Sequence, residues 1–322
     1  AARFHEHLSA KLRAMGFRPS KADPDLWFRK LNDHYEYIAR YVDDVIVFSK
    51  DPMAIMKELE KHYVMKGAGK PQYYLGGDVV NLPDVWEQEG IHMGFSAETY
   101  IRNTLPRLKA MCNLADYRKM KVPFQEDYHP ELDMSDLLSG PDISKYKSLI
   151  GSGNWLITLG RFDIQYAISA LSQYSMAPRR GHMEALQKVY GYLQKYPSYM
   201  IPIDIAPPAI RKIASITTDQ SWIEFYPDAV EATPPDMLPP LGNEAMVTVF
   251  VDADHARNQV TRRSVTGIIL LVNNTPVVWI SKRQSTVETS TYGSELVASR
   301  IAIDLIIDMH YKLRMLGVVL EK

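Results

Sequence analysis

Apolar residues recur at helical spacing over residues 4–16, where Phe4, Leu8, Leu12 and Met15 fall in step and Gly16 supplies the stop. A turn-rich stretch follows to Asp25. Tyr35 to Ser49 is a run of β-branched and aromatic residues interrupted by Asp43-Asp44, which predicts a hairpin. Helical spacing returns over Pro52 to Tyr63, and Tyr73 to Val80 reads as a strand. From Ala97 to about Tyr196 the pattern is helical, with its clearest stripe at Leu186, Val189, Tyr190 and Leu193 before Pro197. Residues 201–245 hold eight prolines and predict a linker. Met246–Val251, Val265–Val272 and Val277–Ser281 then read as three strands, and Tyr292–Leu316 as one long helix. No internal repeat or low-complexity tract is visible.

Composition narrows the class. The chain has 322 residues, enough for two or three domains. With 46% hydrophobic and 23% charged residues it is ordinary globular material, not a disordered chain. Thirty-seven Lys+Arg against 38 Asp+Glu give a formal net charge of −1, so any hold on nucleic acid must come from local patches. Cys112 is the single cysteine, which excludes an intrachain disulfide and a cysteine-based zinc site and fits a reducing compartment. The uncharged stretch Ser264–Ser281 is broken by Asn273-Asn274-Thr275-Pro276 and reads as two strands and a turn rather than a membrane span. The N-terminus carries no signal-peptide pattern. An intracellular, non-secreted protein is expected, and both ends read as cuts through something longer.

Two acidic pairs carry the candidate chemistry. In Tyr41-Val42-Asp43-Asp44, two carboxylates sit between apolar strands; a tight turn would bring both to one rim. Carboxylate oxygens suit Mg²⁺, and two such ions about 4 Å apart can clamp the attacking and leaving oxygens of a phosphoryl transfer. A plain surface hairpin with acidic turn residues is the alternative that spacing leaves open. The second pair is Asp252 with Asp254, at the end of the strand Val247–Val251, facing Glu295 early in the last helix. A strand-end Asp and a helix-borne Glu can form a Mg²⁺ cradle, although the helix dipole alone also favours an early Glu.

The surroundings of these pairs resemble the copia-type retrotransposon polyprotein. Tyr41-Val42-Asp43-Asp44 resembles the palm-hairpin motif of reverse transcriptases. Gly16-Phe17-Arg18-Pro19-Ser20-Lys21-Ala22-Asp23-Pro24-Asp25-Leu26-Trp27 is similar to the segment before it. Tyr74-Leu75-Gly76-Gly77 and Gly90-Ile91-His92-Met93 resemble the palm strands after it. Tyr146–Ser152 and Arg161–Ala167 are similar to the segment leading into the family's RNase H region. Val251–Ala256, Arg262–Gly267, Trp279–Gln284 and Ser290–Glu295 resemble that RNase H domain. The motifs occur in family order over nearly the whole chain.

The resemblance implies an α+β protein in four parts. These are a partial polymerase palm at 1–96, a helical thumb/connection region at 97–200, the Pro-rich linker at 201–245 and a truncated RNase H-like α/β domain at 246–322. It implies an RNA-directed DNA polymerase with partial RNase H, a nucleotidyltransferase using Mg²⁺, with Asp43, Asp44, Asp252 and Glu295 as catalytic metal ligands. RNA template, DNA primer, RNA–DNA hybrid and, in the intact enzyme, dNTP would be its partners. The resemblance also implies absences. No acidic residue before Asp43 (Glu6, Asp23, Asp25, Asp33, Glu36) has the strand context of the family's first catalytic motif. The family's next RNase H Asp lies on a strand after the last helix, and Asp304 and Asp308 inside that helix are expected to face solvent. Both sites are thus expected to be incomplete and the chain inactive alone. A non-enzymatic retroelement remnant with weak nucleic-acid binding is the alternative, and a metal-dependent hydrolase unrelated to polymerases a more distant one.

The basic pairs Arg118-Lys119 with Lys121, Arg179-Arg180, Arg211-Lys212, Arg262-Arg263 and Lys282-Arg283 are candidate phosphate contacts. Tyr190, Tyr192 and Tyr196 are expected in the core rather than as base-stacking platforms. His5-Glu6-His7 lacks metalloprotease spacing, and Gly67-Ala68-Gly69-Lys70 lacks the full phosphate-loop pattern.

Overall fold

The computed structural model describes residues 2–82, 91–112, 120–208, 225, 227–228 and 237–320. The chain opens with α1 (Ala2–Ala14) and a four-stranded antiparallel sheet in the order β1 (Arg18–Pro19), β2 (Leu26–Leu31), β3 (His34–Tyr41), β4 (Asp44–Phe48). α2 (Pro52–Glu60) follows, capped by Asp51, whose carboxylate accepts the Ala54 N–H. Alternation decides the two faces of this sheet. Trp27, Ile38, Val45 and Val47 point toward α1 and α2 and meet Leu8, Leu12, Phe17, Ile55 and Leu59 in one core. Phe28, Tyr37, Ala39, Tyr41, Asp44, Ile46 and Phe48 share the opposite face, which no helix of this cluster covers.

A second sheet runs β5 (Tyr73–Tyr74), β6 (Gly77–Asn81), β7 (Ile91–Ser96), β8 (Met200–Asp204). Two expectations are corrected here. Tyr73–Val80 is not one strand: Leu75 and Gly76 take φ of 50° and 89° and turn the chain into a tight hairpin. The Pro-rich stretch does not begin at 201 as linker either, because Met200–Asp204 pairs with β7. Pro202 is tolerated since β8 is an edge strand. Residues 209–224 and 229–236, with Arg211-Lys212 and most of the linker, lie outside the described residues, as do Arg118-Lys119.

Between β7 and β8 stand α3 (Glu98–Cys112), α4 (Gly140–Thr158), α5 (Gln165–Ser172) and α6 (Arg180–Lys195). Residues 120–139 are largely irregular, with one 3₁₀ turn at Pro130–Leu132, so the helical region is interrupted where the sequence pattern read as continuous. Tyr146, Leu149, Ile168, Leu171, Leu186, Val189 and Leu193 form its core. Tyr190 and Tyr192 are buried in that core, which removes them as stacking platforms.

The last unit is β9 (Glu244–Ala245), β10 (Val247–Asp254), β11 (Val265–Val272), β12 (Thr275–Arg283), α7 (Thr291–Met315) and β13 (Val319–Leu320). β10, β11 and β12 form an antiparallel sheet, and β13 returns to pair parallel with β9. Asn273, at φ 52°, makes the β11–β12 turn. Ser290 caps α7 by accepting the Gly293 N–H, and Ser294, Ala298 and Ala302 give the helix a smooth buried stripe beside Ala253, Thr266, Ile268 and Leu270. Small residues at i, i+4 and i+8 let helix and sheet approach closely.

The helical layer is joined to this last sheet through the rim of β12. Gln165 and Ser169, one turn apart on α5, donate to the carbonyls of Trp279 and Ser281 at 3.1 and 2.8 Å. Trp279 donates to Ile157 O, and its ring lies 5.3 Å from that of Phe162. An edge strand is thereby covered by side chains rather than by another strand.

Candidate functional site

The first acidic pair sits on the β3–β4 hairpin. Tyr41 pairs with Asp44, which leaves Val42 and Asp43 as a two-residue turn. Val42 adopts φ 53°, an uncommon conformation for a β-branched residue, and its side chain is exposed. Strain of this kind costs on the order of 1–3 kcal/mol and concentrates at functional sites. Asp43 and Asp44 are both exposed, and Asp44 lies on the helix-free face of the sheet.

That corner is more acidic than the pair alone. Burial pushes the Tyr74 phenol up, and the carboxylates of Asp44, Asp23 and Asp25 push it further, so β5 and the Asp23–Asp25 turn border the hairpin. Asp23 accepts the Asp25 N–H, and Asp25 is paired with the buried guanidinium of Arg40. Glu36 does lie in a strand, but on the opposite face, where Arg29 and Ser49 occupy both its oxygens. Asp25 and Glu36 are thus engaged by Arg40, Arg29 and Ser49. The proximity of Asp23 and Asp25 was not readable from sequence, because it depends on how the β5–β6 hairpin folds back.

The second acidic group gathers at the end of β10. Asp252 and Asp254, two residues apart, share one face and are exposed, while Ala253 between them is buried against α7. Glu295 reaches this strand end from α7 and accepts the Ala253 N–H at 3.3 Å. Opposite Asp252 stands Gly267, where a β-carbon would meet nothing closer than the Asp252 carbonyl at 4.0 Å, so the floor beside Asp252 is open.

Asp254 has a different environment. Burial pushes its carboxyl up, Asp252 adds to that, and Arg257, His129 and His255 oppose it. Arg257 lies 3.6 Å from Asp254 and also donates to the Tyr166 hydroxyl and the Glu126 and Tyr128 carbonyls. Asp254 is therefore tied through Arg257 to the helical layer. His129, near this carboxylate from a distant segment, carried no sequence signal. Glu295 meets the β10 backbone at Ala253, next in sequence to Asp252, and Asp43 and Asp44 lie on a separate unit. Asp304 and Asp308 are exposed on α7.

Among the described residues, no group of three or more His, Cys, Asp or Glu side chains is arranged to hold a metal ion. The donor chemistry of each pair suits a hard cation that keeps waters of its own, since Mg²⁺ is commonly held by only one or two carboxylates. The other candidates are accounted for structurally. Arg179 donates to Ser135 O, and Arg180 stands 3.9 Å from Asp136. His5 contacts Arg40, and His7 contacts the Tyr63 hydroxyl. Lys282 is exposed and Arg283 half-buried at the end of β12. No described helix is long and apolar enough to cross a membrane.

No protein-family model matches the chain, and no solved structure matches it. Curated relatives do. A transposon Ty5-1 protein of Saccharomyces cerevisiae is 26% identical over 316 residues, covering 94% of this chain and 84% of that protein. The retrovirus-related Pol polyprotein from transposon RE1 of Arabidopsis thaliana is 24% identical over 287 residues, covering 88% of this chain. The corresponding polyprotein from transposon TNT 1-94 of Nicotiana tabacum is 22% identical over 300 residues, covering 89%. The chain spans only 16% and 19% of those two polyproteins. The chain is homologous to retrotransposon Pol polyproteins. Within that class its relatives are of the Ty5/copia type, in agreement with the order of motifs along the chain.

Proposed function

We propose that the chain is part of a copia-type reverse transcriptase: the later half of a polymerase palm with its helical thumb/connection, followed by the first elements of an RNase H-like domain. The observation that carries this reading is the strained turn of the β3–β4 hairpin, which lifts Asp43 and Asp44 together to the rim of the sheet face turned away from α1 and α2. The outer side of β4 has no strand partner among the described residues, which leaves room for a strand bearing the missing third carboxylate.

Asp43 and Asp44 would hold Mg²⁺ at the polymerase site, and Asp252 with Glu295 at the nuclease site. When bound, the ions supply charge neutralisation for phosphoryl transfer. The chain's own part is positioning. The hairpin fixes two carboxylates at one rim, the Ala253 N–H fixes Glu295 beside Asp252, and Arg257 holds Asp254 out of the pair. With two free carboxylates in each place, the chain alone does not catalyse, and RNA template, DNA primer, hybrid and dNTP belong to the intact enzyme.

Two measurements test this reading. The 322-residue chain is expected to bind an RNA–DNA hybrid weakly, with affinity falling steeply between about 50 and 200 mM salt as phosphate contacts are screened. In a polypeptide that also carries the upstream palm, Asp43→Asn is expected to abolish primer extension. Unchanged extension removes Asp43 from the site.

A further inference from the structure

The first and last units of the chain touch directly. Tyr35 and Tyr37, two residues apart on β3, project from the face turned away from α1 and α2, the same face that carries Asp44. Tyr35 donates to the Pro239 carbonyl at 2.9 Å, and Tyr37 donates to the Leu316 carbonyl, 204 and 279 residues away in sequence. Leu316 is the C-cap of α7, the helix that carries Glu295. Gly317 follows with φ 72°, its N–H bonded to Arg314 O and its carbonyl accepting the Leu241 N–H. A β-carbon at Gly317 would stand 2.5 Å from Cε2 of the Tyr35 ring. Phe28 buttresses Tyr35 edge-on at 6.3 Å, and Tyr37 lies 6.2 Å from it on the other side.

Tyr37 is thus satisfied by a carbonyl that helix geometry leaves without a partner inside α7. The contact requires a residue without a side chain at 317, for backbone reasons and for space alike. The strand β3 runs into the turn that carries Asp43 and pairs at its end with Asp44, and from its middle Tyr37 holds the terminus of the helix that carries Glu295.

We infer that this contact is a clasp that locks the sheet bearing Asp43 and Asp44 and the α7 unit bearing Asp252 and Glu295 into one body. The contact, in which Pro239 and Leu241 near the end of the Pro-rich connection take part, then decides how the two acidic clusters are disposed. At about 3.4 Å per strand residue and 1.5 Å per helix residue, the strand from Tyr37 to the hairpin rim covers roughly 14 Å and α7 from Glu295 to Leu316 roughly 31 Å. The span between the clusters is therefore bounded and fixed. That this matters for a duplex engaging both clusters rests on the function proposed above; the clasp itself does not.

The test measures distance, not activity. In the full chain with Cys112→Ser, spin labels are placed on Lys57→Cys in α2 and Arg300→Cys in α7, both exposed positions. The parent is expected to give one narrow distance distribution. Gly317→Val, which drives a side chain into Tyr35, is expected to broaden it, and so is the double variant Tyr35→Phe with Tyr37→Phe, which removes both hydroxyls and keeps the rings. Helical circular dichroism is expected to stay unchanged in the double variant, so the test survives if Gly317→Val fails to fold. A broad distribution in the parent, or a narrow one persisting in the double variant, overturns the clasp. Loss of hybrid binding with the distances intact would count against the proposed function alone.

Discussion

Glu295 takes the backbone N–H of Ala253, so a carboxylate carried by α7 meets, one residue past Asp252, a strand that begins 48 residues earlier. Gln at 295 could still accept that hydrogen bond but would bring no charge. Glu295→Gln is therefore expected to leave stability within about 0.5 kcal/mol of the parent. Affinity for Mn²⁺, measured by electron paramagnetic resonance, is expected to fall about tenfold or more, as it should for Asp252→Asn. Equal affinity in parent and variants would show that the pair does not hold an ion.

Arg257 ties three segments together. It meets Asp254, the Tyr166 hydroxyl and the carbonyls of residues 126 and 128. Removing it leaves the Asp254 carboxylate, the Tyr166 hydroxyl and two backbone carbonyls without their shared partner. Arg257→Ala is expected to destabilise the chain by about 2–3 kcal/mol, read as a shift in urea midpoint. Arg257→Lys should rescue little, because an ammonium cannot span the same fork.

Val42 holds a backbone angle that favours glycine, and its exposed side chain packs on little. Val42→Gly is expected to stabilise the hairpin by about 1 kcal/mol in thermal unfolding, despite glycine's greater freedom in the unfolded chain. A loss of stability of that size would mean that the turn is not strained.

Burial pushes the Tyr37 phenol up to about 12, with Tyr35 adding to the effect. The fold holds the neutral phenol, whereas an unfolded tyrosine releases its proton near pH 10. The stability this linkage contributes is complete below about pH 10 and is lost as pH rises to about 12. Tyr37→Phe should therefore lose stability less steeply than the parent over that window, by about one proton in slope. Identical slopes would place Tyr37 in water.

Much of this architecture is written in residue spacing. Ser290 and Gly317 bracket α7, Asn273-Asn274 marks the β11–β12 turn, and the break at Asp43-Asp44 marks the β3–β4 hairpin, since each signal is local. Other features depend on distant partners. Leu75-Gly76 turns the chain inside an apparently continuous strand pattern, a conformation that leucine does not advertise. Pro202 hid β8, which exists only because Gly94 on β7 accepts it at an edge. The acidic pairs were readable as motifs. The crowding of Asp23 and Asp25 near Asp44, and of His129 near Asp254, joins segments that no spacing rule connects.

The outer border of β4 gives the chain a practical liability. Its main-chain donors and acceptors have no strand beside them among the described residues, and Phe48 stands exposed at its end. Such a border recruits any extended peptide of suitable register, including one from a neighbouring molecule. Purified at high concentration, the polypeptide should therefore self-associate through β4, and a short peptide supplied to cover that border should keep it monomeric.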